Sequence, residues 1–307
     1  MARAPTTPPE RVEATRGEKI MFPADGITKA QLVTYYDRVA EAALDHMRDR
    51  PISLKRFPDG IEEEGFFQKR VEDHYPGWIG RVTVRTADGR MTQPVIENSQ
   101  TLAYLADQGT IEFHGSLARV RDIEKPDRLI LDLDPPGGTG AGDRAKWSPL
   151  LVETALEARA LFRDLGAEAF VMSSGSRGLH VMLPLDARTG FEAVAEFARD
   201  LAGRLAEAAP KDRTVEQRKA ARGERLFIDW LRNHYGQTSI LPYSLRALPG
   251  APVATPLEWD ELRRDYDPQR IRLTTLFRRL GQRRDPWRNA ARTPANAERL
   301  AAALRAL

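Results

Sequence analysis

Leu129-Ile130-Leu131-Asp132-Leu133-Asp134-Pro135-Pro136-Gly137-Gly138 is an apolar run of strand length that carries two carboxylates and then breaks at Pro-Pro-Gly-Gly. Side chains alternate faces along a strand, so Asp132 and Asp134 share one face while Leu131 and Leu133 point into a core. Two carboxylates held that close repel each other unless a positive charge lies between them. A divalent metal is the common solution, and hard oxygen ligands suit magnesium or manganese. A strand that simply ends in a solvated Asp-Pro turn accounts for the same letters. The stretch alone leaves both readings open.

Composition narrows the field. With 307 residues, 41% apolar and 30% charged, the chain has the make-up of a soluble globular protein of one large or two small domains. No apolar run approaches the length of a membrane span, and the N-terminus has no apolar segment of a secretory signal. We therefore expect no membrane partner, a flexible lead-in over residues 1–18 and a cytoplasmic location. The chain has no cysteine, which excludes disulfides, thiolate nucleophiles and cysteine-ligated zinc. The net charge is only +3, but residues 210–307 hold 20 Lys and Arg against 11 Asp and Glu, whereas residues 1–130 hold 19 against 21. The basic groups of the last third are nearly all arginine, which grips phosphate bidentately. A polyanionic partner or an ordinary arginine-rich surface fits this asymmetry.

Outward from the carboxylate strand, three stretches carry chemistry. Upstream, Thr110-Ile111-Glu112-Phe113-His114 reads as a strand with His114 at its end. Downstream, after a glycine-rich loop and an expected helix over 149–165, Glu168–Met172 reads as a strand entering Ser173-Ser174-Gly175-Ser176-Arg177-Gly178, and Leu179–Leu183 as the strand leaving it. Small residues, hydroxyls and an arginine in that turn would offer free backbone N–H groups and a cation, suited to cradling phosphate. It is neither a Walker loop nor a nucleophile elbow. The alternation of the exit strand lets His180 face the loop. Leu226-Phe227-Ile228-Asp229-Trp230-Leu231 is a strand with one acid in an apolar setting; a buried carboxylate is costly unless paired or metal-bound, so Asp229 is the natural third ligand beside Asp132 and Asp134.

The remaining elements frame these. Thr28 is a plausible cap for a helix whose apolar stripe is Leu32, Tyr35, Tyr36, Val39, Ala43 and Met47. Lys19 and Lys29 flank the Ala24-Asp25-Gly26 turn and could meet on one side of it. Gly65-Phe66-Phe67-Gln68-Lys69-Arg70 reads as a strand with one ring buried and the other exposed beside Lys69 and Arg70, a base-stacking platform. A hairpin is expected over 81–96, helices over 99–108, 190–208 and near 256–265, a final short helix over 293–307, and an exposed charged segment over 211–225 that includes Arg213 and Arg222.

Leu-Asp-Leu-Asp-Pro, Ser-Ser-Gly-Ser-Arg-Gly-Leu-His, Phe-Ile-Asp-Trp-Leu and Pro-Tyr-Ser-Leu-Arg, in this order, resemble the polymerase domain of bacterial DNA ligase D, a branch of the archaeo-eukaryotic primase superfamily. The resemblance runs from about Lys19 to about Trp287. It implies a mixed α/β (α+β) primase-like core, with central mixed or antiparallel sheets flanked by helices, over residues 19–292. It also implies a metal-dependent primase-polymerase that fills or extends DNA ends and gaps in non-homologous end joining, favouring ribonucleotides. No ligase nucleotidyl-lysine motif is present, so the chain looks like a stand-alone polymerase or one excised from a larger protein. Residue by residue, Asp132, Asp134 and Asp229 match a catalytic triad for two manganese or magnesium ions. Ser174, His180 and His114 match contacts to the nucleotide phosphates, with Ser176 and Arg177 in the same turn, and Arg246 matches a further triphosphate contact. Lys19 and Lys29 match lysines that grip a downstream 5′-phosphate. Phe66 and Phe67, with Lys69 beside them, match aromatics at the template, and Arg222 matches a basic loop residue used in end pairing. Implied partners are DNA ends and primer-templates, nucleoside triphosphates including ATP, and end-joining proteins such as Ku and a DNA ligase at the bacterial nucleoid. Where the family has Asp-Tyr-Leu-Gln, this chain has Asp229-Trp230-Leu231-Arg232, an added cation that could alter template contact or sugar preference. A catalytically weak DNA-end-binding protein and a metal-dependent phosphodiesterase are the alternatives.

Overall fold

The computed structural model describes residues 7–307, and the chain divides into two compact units. Unit 1 runs up to Ile123 and takes in Thr238–Val253 and Arg272–Gly281; unit 2 holds Glu124–Gln237, Ala254–Ile271 and Gln282–Leu307. Residues 19–292 contribute segments to both units, and each unit has its own main sheet.

In chain order, unit 1 begins with β1 (Ile20–Phe22), β2 (Ile27–Thr28) and α1 (Lys29–Met47), then β3 (Ile52–Arg56), β4 (Phe66–Gln68), the hairpin β5 (Gly80–Thr86) and β6 (Gly89–Val95), α2 (Ser99–Asp107) and β7 (Thr110–Gly115). Unit 2 follows with β8 (Arg128–Asp134), α3 (Ala141–Asp164), β9 (Phe170–Ser173), β10 (Leu179–Pro184), α4 (Phe191–Ala208), β11 (Arg213–Thr214), α5 (Lys219–Arg222) and β12 (Leu226–Asp229). The chain then adds β13 (Ser239–Ile240) to unit 1, β14 (Thr255–Leu257) to unit 2, α6 (Leu273–Gln282) mainly to unit 1, and α7 (Ala297–Ala306) to unit 2. No described helix is long and apolar enough to cross a membrane.

Unit 1 forms a four-stranded antiparallel sheet ordered β13-β7-β3-β4. Thr28 starts α1 with a capping box, its hydroxyl accepting from the Gln31 N–H, and the expected stripe from Leu32 to Met47 is buried. Two α1 tyrosines tie the late segment to this core: the Tyr35 hydroxyl donates to the Tyr243 carbonyl at 2.8 Å and the Tyr36 hydroxyl accepts from the Leu245 N–H at 2.9 Å. The flexible lead-in expected over 1–18 is corrected from Val12 onward: the Val12 N–H donates to Gln100 at 2.6 Å and the Thr15 N–H to Asp107 at 2.8 Å. Residues 1–6 of that segment lie outside the described residues.

Unit 2 is organised around β8, the stretch that opened the sequence. Its sheet is ordered β11-β12-β8-β10-β9-β14, antiparallel except for β11 with β12. Leu129, Leu131 and Leu133 are fully buried, so the strand is apolar on one face. Three local expectations change. The helix predicted from residue 149 starts at Ala141 and continues through Pro149, because Arg144 pairs with Asp267 at 2.6 Å and the Ser148 hydroxyl donates to the Tyr266 carbonyl at 2.8 Å. These partners, more than a hundred residues away, stabilise turns that local propensity does not. The helix expected near 256–265 is an edge strand and a short 3-10 turn, held where β14 pairs with β9 and the Trp259 indole N–H donates to the Ala169 carbonyl at 3.0 Å; Pro256 is tolerated at a sheet edge. Arg213, expected at the surface, is buried and ion-paired with Glu157 of α3.

Candidate active site

Register brings the three acids together. Asp132 on β8 lies directly opposite Asp229 on β12, and on its other side opposite His180 on β10. Directly opposed residues of an antiparallel pair place their side chains on the same face about 5 Å apart. Asp134, two residues on, shares that face, and its partner across the ladder is Phe227. The row of His180, Asp132 and Asp229 therefore crosses three adjacent strands.

Each carboxylate has a positive or N–H partner. The Arg177 guanidinium grips Asp134 bidentately, Nε to Oδ1 at 2.6 Å and Nη2 to Oδ2 at 2.8 Å, and its Nη1 donates to the Gly137 carbonyl at 2.8 Å. His180 Nε2 lies 3.3 Å from Asp132 Oδ1. Arg232 Nε lies 3.2 Å from Asp229 Oδ2 and 3.9 Å from Asp132 Oδ2, and the Leu231 N–H donates to Asp229 Oδ1 at 2.8 Å. Burial raises the Asp229 pKa and the neighbouring Asp132 charge raises it further, against the lowering by Arg232.

The donor chemistry fits a divalent cation: three carboxylates on one face, one of them buried at a cost that positive charge relieves. Among the described residues no three acidic or histidine side chains converge as a ready ligand set. In this arrangement Arg177 holds both oxygens of Asp134, and Arg232 contacts the other two acids.

The Ser173–Gly178 turn corrects one expectation. Three of its N–H groups are taken up by its own serines: the Ser173 hydroxyl accepts from Gly175 at 3.1 Å, and the Ser174 hydroxyl accepts from Ser176 at 3.3 Å and Gly178 at 3.2 Å. The serines stiffen the turn from inside, and its arginine is turned onto Asp134. Ser174 and His180 are buried and Ser176 is partly exposed. Arg222, the last residue of α5, stacks 3.5 Å above the Phe227 ring, whose ladder partner is Asp134, so this cation stands on the acidic face.

Unit 1 carries its own cluster, around a residue the sequence reading did not single out. Glu112 is 3% exposed; its Oε2 lies 3.0 Å from His114 Nε2, and its Oε1 lies 3.3 Å from Arg246 Nε and accepts from the Ala247 N–H at 3.1 Å. Burial alone would raise its pKa, but Arg246, His114 and Lys55 outweigh this and hold it at about 2. A buried acid two residues before His114 on a strand was the available signal, the same one that marked Asp229.

Phe66 and Phe67 are 47% and 57% exposed, so neither is core, against the expectation of one buried ring. They stand on β4, the edge strand of their sheet. Arg56 covers the Phe66 ring at 5.5 Å, and His114 meets Phe67 edge-on at 5.3 Å; Lys69 beside them is exposed. The backbones of Lys19 and Lys29 meet, the Lys29 N–H donating to the Lys19 carbonyl at 2.8 Å. Both ammonium groups have partners: Lys19 pairs with Asp59 at 2.5 Å, and Lys29, 12% exposed, pairs with Asp107 at 2.9 Å and donates to the Thr15 hydroxyl at 2.9 Å.

This architecture matches known proteins closely. Residues 28–287 match the family model described as LigD, primase-polymerase domain. The multifunctional non-homologous end joining protein LigD of Mycolicibacterium smegmatis is 35% identical over 275 residues, covering 89% of this chain and 35% of that protein. The Pseudomonas aeruginosa protein of the same name is 32% identical over 296 residues, 96% of this chain and 34% of that protein. The chain thus spans about a third of the length of these relatives. Among solved structures, the polymerase domain of Mycobacterium tuberculosis ligase D in complex with DNA superimposes with a TM-score of 0.82 at 32% identity, covering 93% of this chain and all of that one. A β8 strand that sets Asp132 between Asp229 and His180 with Asp134 on the same face, in a fold shared over nearly the whole length and a family model matched over residues 28–287, places this chain in the LigD primase-polymerase domain family.

Proposed function

We infer that this protein is a metal-dependent, DNA-directed nucleotidyltransferase that extends or fills DNA ends and gaps during non-homologous end joining, using nucleoside triphosphates and favouring ribonucleotides. The observation that carries the reading is the opposition of Asp132 and Asp229 across two strands with Asp134 on the same face. Asp132, Asp134 and Asp229 would hold manganese or magnesium, which when bound neutralises triphosphate charge and lowers the pKa of a primer 3′-hydroxyl. His180 orients Asp132 by contact at 3.3 Å. The stiffened Ser173–Gly178 turn fixes Arg177 and, through it, Asp134. In unit 1, Glu112 aligns His114 and Arg246 as cationic or hydrogen-bonding contacts for phosphate, and Phe66 and Phe67 offer faces on which bases stack.

Incubation with a primer-template, manganese and nucleotides tests the reading. Stepwise extension, faster with ribo- than with deoxyribonucleotides, is expected. Cleavage without extension would point to a phosphodiesterase, and binding alone to an end-binding protein.

Lys19 and Lys29 give a second expected result. A terminal phosphate carries up to two charges against one for a diester. In the proposed phosphate site each lysine would be positioned by a carboxylate partner, Lys19 by Asp59 and Lys29 by buried Asp107. Lys19→Ala with Lys29→Ala should erase the preference for a 5′-phosphorylated gapped duplex, a loss of about 1.5–3 kcal/mol if the contacts are charge-assisted and partly desolvated, and leave extension of an open primer-template unchanged. Binding of phosphorylated and hydroxyl duplexes at two ionic strengths checks this; solvated lysines would give only a small uniform loss that shrinks with salt.

A further inference from the structure

Arg232 reaches both Asp229 and Asp132, its Nε 3.2 Å from Asp229 Oδ2 and 3.9 Å from Asp132 Oδ2. The 3-10 turn Leu231–Asn233 that carries it is clamped to the sheet by Asn233, which is fully buried and bonds both backbone groups of Ile130 on β8: Oδ1 accepts from the Ile130 N–H at 2.8 Å, and Nδ2 donates to the Ile130 carbonyl at 2.7 Å. Asp229 ends β12 immediately before this turn and accepts from its Leu231 N–H. The backbone of Arg232 is therefore fixed relative to Asp132 and Asp229, and only its side chain has freedom.

The two arginines of the site differ. Arg177 makes three short contacts, two to Asp134 and one to the Gly137 carbonyl, and serves as a clamp. Arg232 makes longer contacts, 3.2 and 3.9 Å, straddles two carboxylates, and its side chain is 42% exposed. It thus has both a reason to lie between the acids and a path out of them.

Resting on the reading that these acids bind a divalent ion, we propose that Arg232 is a built-in cation that competes with that ion for the Asp132–Asp229 pair and thereby sets how much metal the protein needs. A guanidinium and a divalent ion within about 4 Å repel strongly in a half-buried site. With a divalent ion held there, the Arg232 side chain would swing outward and give up its contact with Asp229. Without metal, the same contact neutralises a buried acid. An exposed ion pair of no consequence, the alternative, would leave metal affinity unchanged.

Titration of Mn2+ into the metal-free protein, followed by the loss of its free electron paramagnetic resonance signal, tests this with Arg232→Gln, Arg232→Lys and the double change Asp132→Asn with Arg232→Gln. The dissociation constant for Mn2+ is expected to fall about tenfold in Arg232→Gln, a factor equal to about 1.4 kcal/mol. It should stay near the parent value in Arg232→Lys, which keeps the charge. The double change should lose the site. In the absence of metal, Arg232→Gln should melt below the parent, and Mn2+ should raise its melting temperature by more. Equal or weaker Mn2+ binding by Arg232→Gln overturns the inference alone. No Asp132-dependent Mn2+ site in any of the proteins overturns the inference together with the metal reading beneath it.

Discussion

Asp134→Ala is expected to slow nucleotide addition about a thousandfold, the scale of removing one charge-stabilising group from a catalytic centre, about 3–4 kcal/mol, while primer-template binding is kept or strengthened. Asp134 shares its face with Asp132 and Asp229 but, unlike them, is held by a bidentate guanidinium. Removing it takes one negative charge from the proposed metal site and leaves Arg177 with the Gly137 carbonyl as its remaining contact here. The net gain of one positive charge favours the DNA backbone, whose affinity for proteins comes chiefly from Lys and Arg. Asp134→Asn separates chemistry from structure, because the amide oxygen still accepts from Arg177 while the charge is lost. Both variants should therefore be slowed about a thousandfold, and Asp134→Asn should melt closer to the parent. Single-turnover extension in saturating manganese, together with DNA binding across a salt series, reads out both halves. Extension within tenfold of the parent in either variant would remove Asp134 from the catalytic set.

The sequence showed the acids and their strands because the signals were local. Alternation along Leu129–Asp134 predicts one polar and one apolar face whatever surrounds the strand, and β8 has them. An acid within Leu-Phe-Ile-Asp needs a partner wherever the strand packs; the register sets it opposite Asp132, and Arg232 supplies the positive charge. What the sequence could not show depended on distant partners. Arg144 and Ser148 find segment 264–267 from more than a hundred residues away, which lengthens α3 past its proline. Arg213 finds Glu157 and is buried, although its neighbours in sequence are charged. The Ser-Gly-Ser turn was legible as a tight loop, but whether its N–H groups faced a ligand or its own serines depended on side-chain rotamers. Glu112 was overlooked because one acid in Ile-Glu-Phe-His also fits a sheet with a wet face; only the return of the chain at Arg246 shows that this face is covered.

Gly178→Ala is expected to destabilise the protein by about 3 kcal/mol, the upper range for forcing an extra carbon into a packed site. A Cβ at this position would lie 2.1 Å from the Leu133 carbonyl oxygen and 3.2 Å from its carbon. Both are backbone atoms of β8, so no rotamer change relieves the clash, and β8 must move away from the turn before β10. Leu133 lies between Asp132 and Asp134, so the same displacement shifts both carboxylates. The turn is disturbed as well, since the Gly178 N–H donates to the Ser174 hydroxyl and its carbonyl accepts from the Ser174 N–H at 3.0 Å. The expected result is a melting temperature lowered by roughly 6–10 °C, with extension activity reduced even at temperatures where the variant stays folded. Gly203→Ala provides the contrast. Gly203 lies inside α4, and a Cβ added there would meet nothing within 4 Å, so alanine should be neutral or stabilise by about 0.4–1 kcal/mol through the unfolded chain and helix propensity. Thermal melts of the two variants under one set of conditions decide the matter. A Gly178→Ala protein that melts within about 2 °C of the parent would mean that β8 and the turn part without strain, and that the close approach at Leu133 does not hold the carboxylate strand in place.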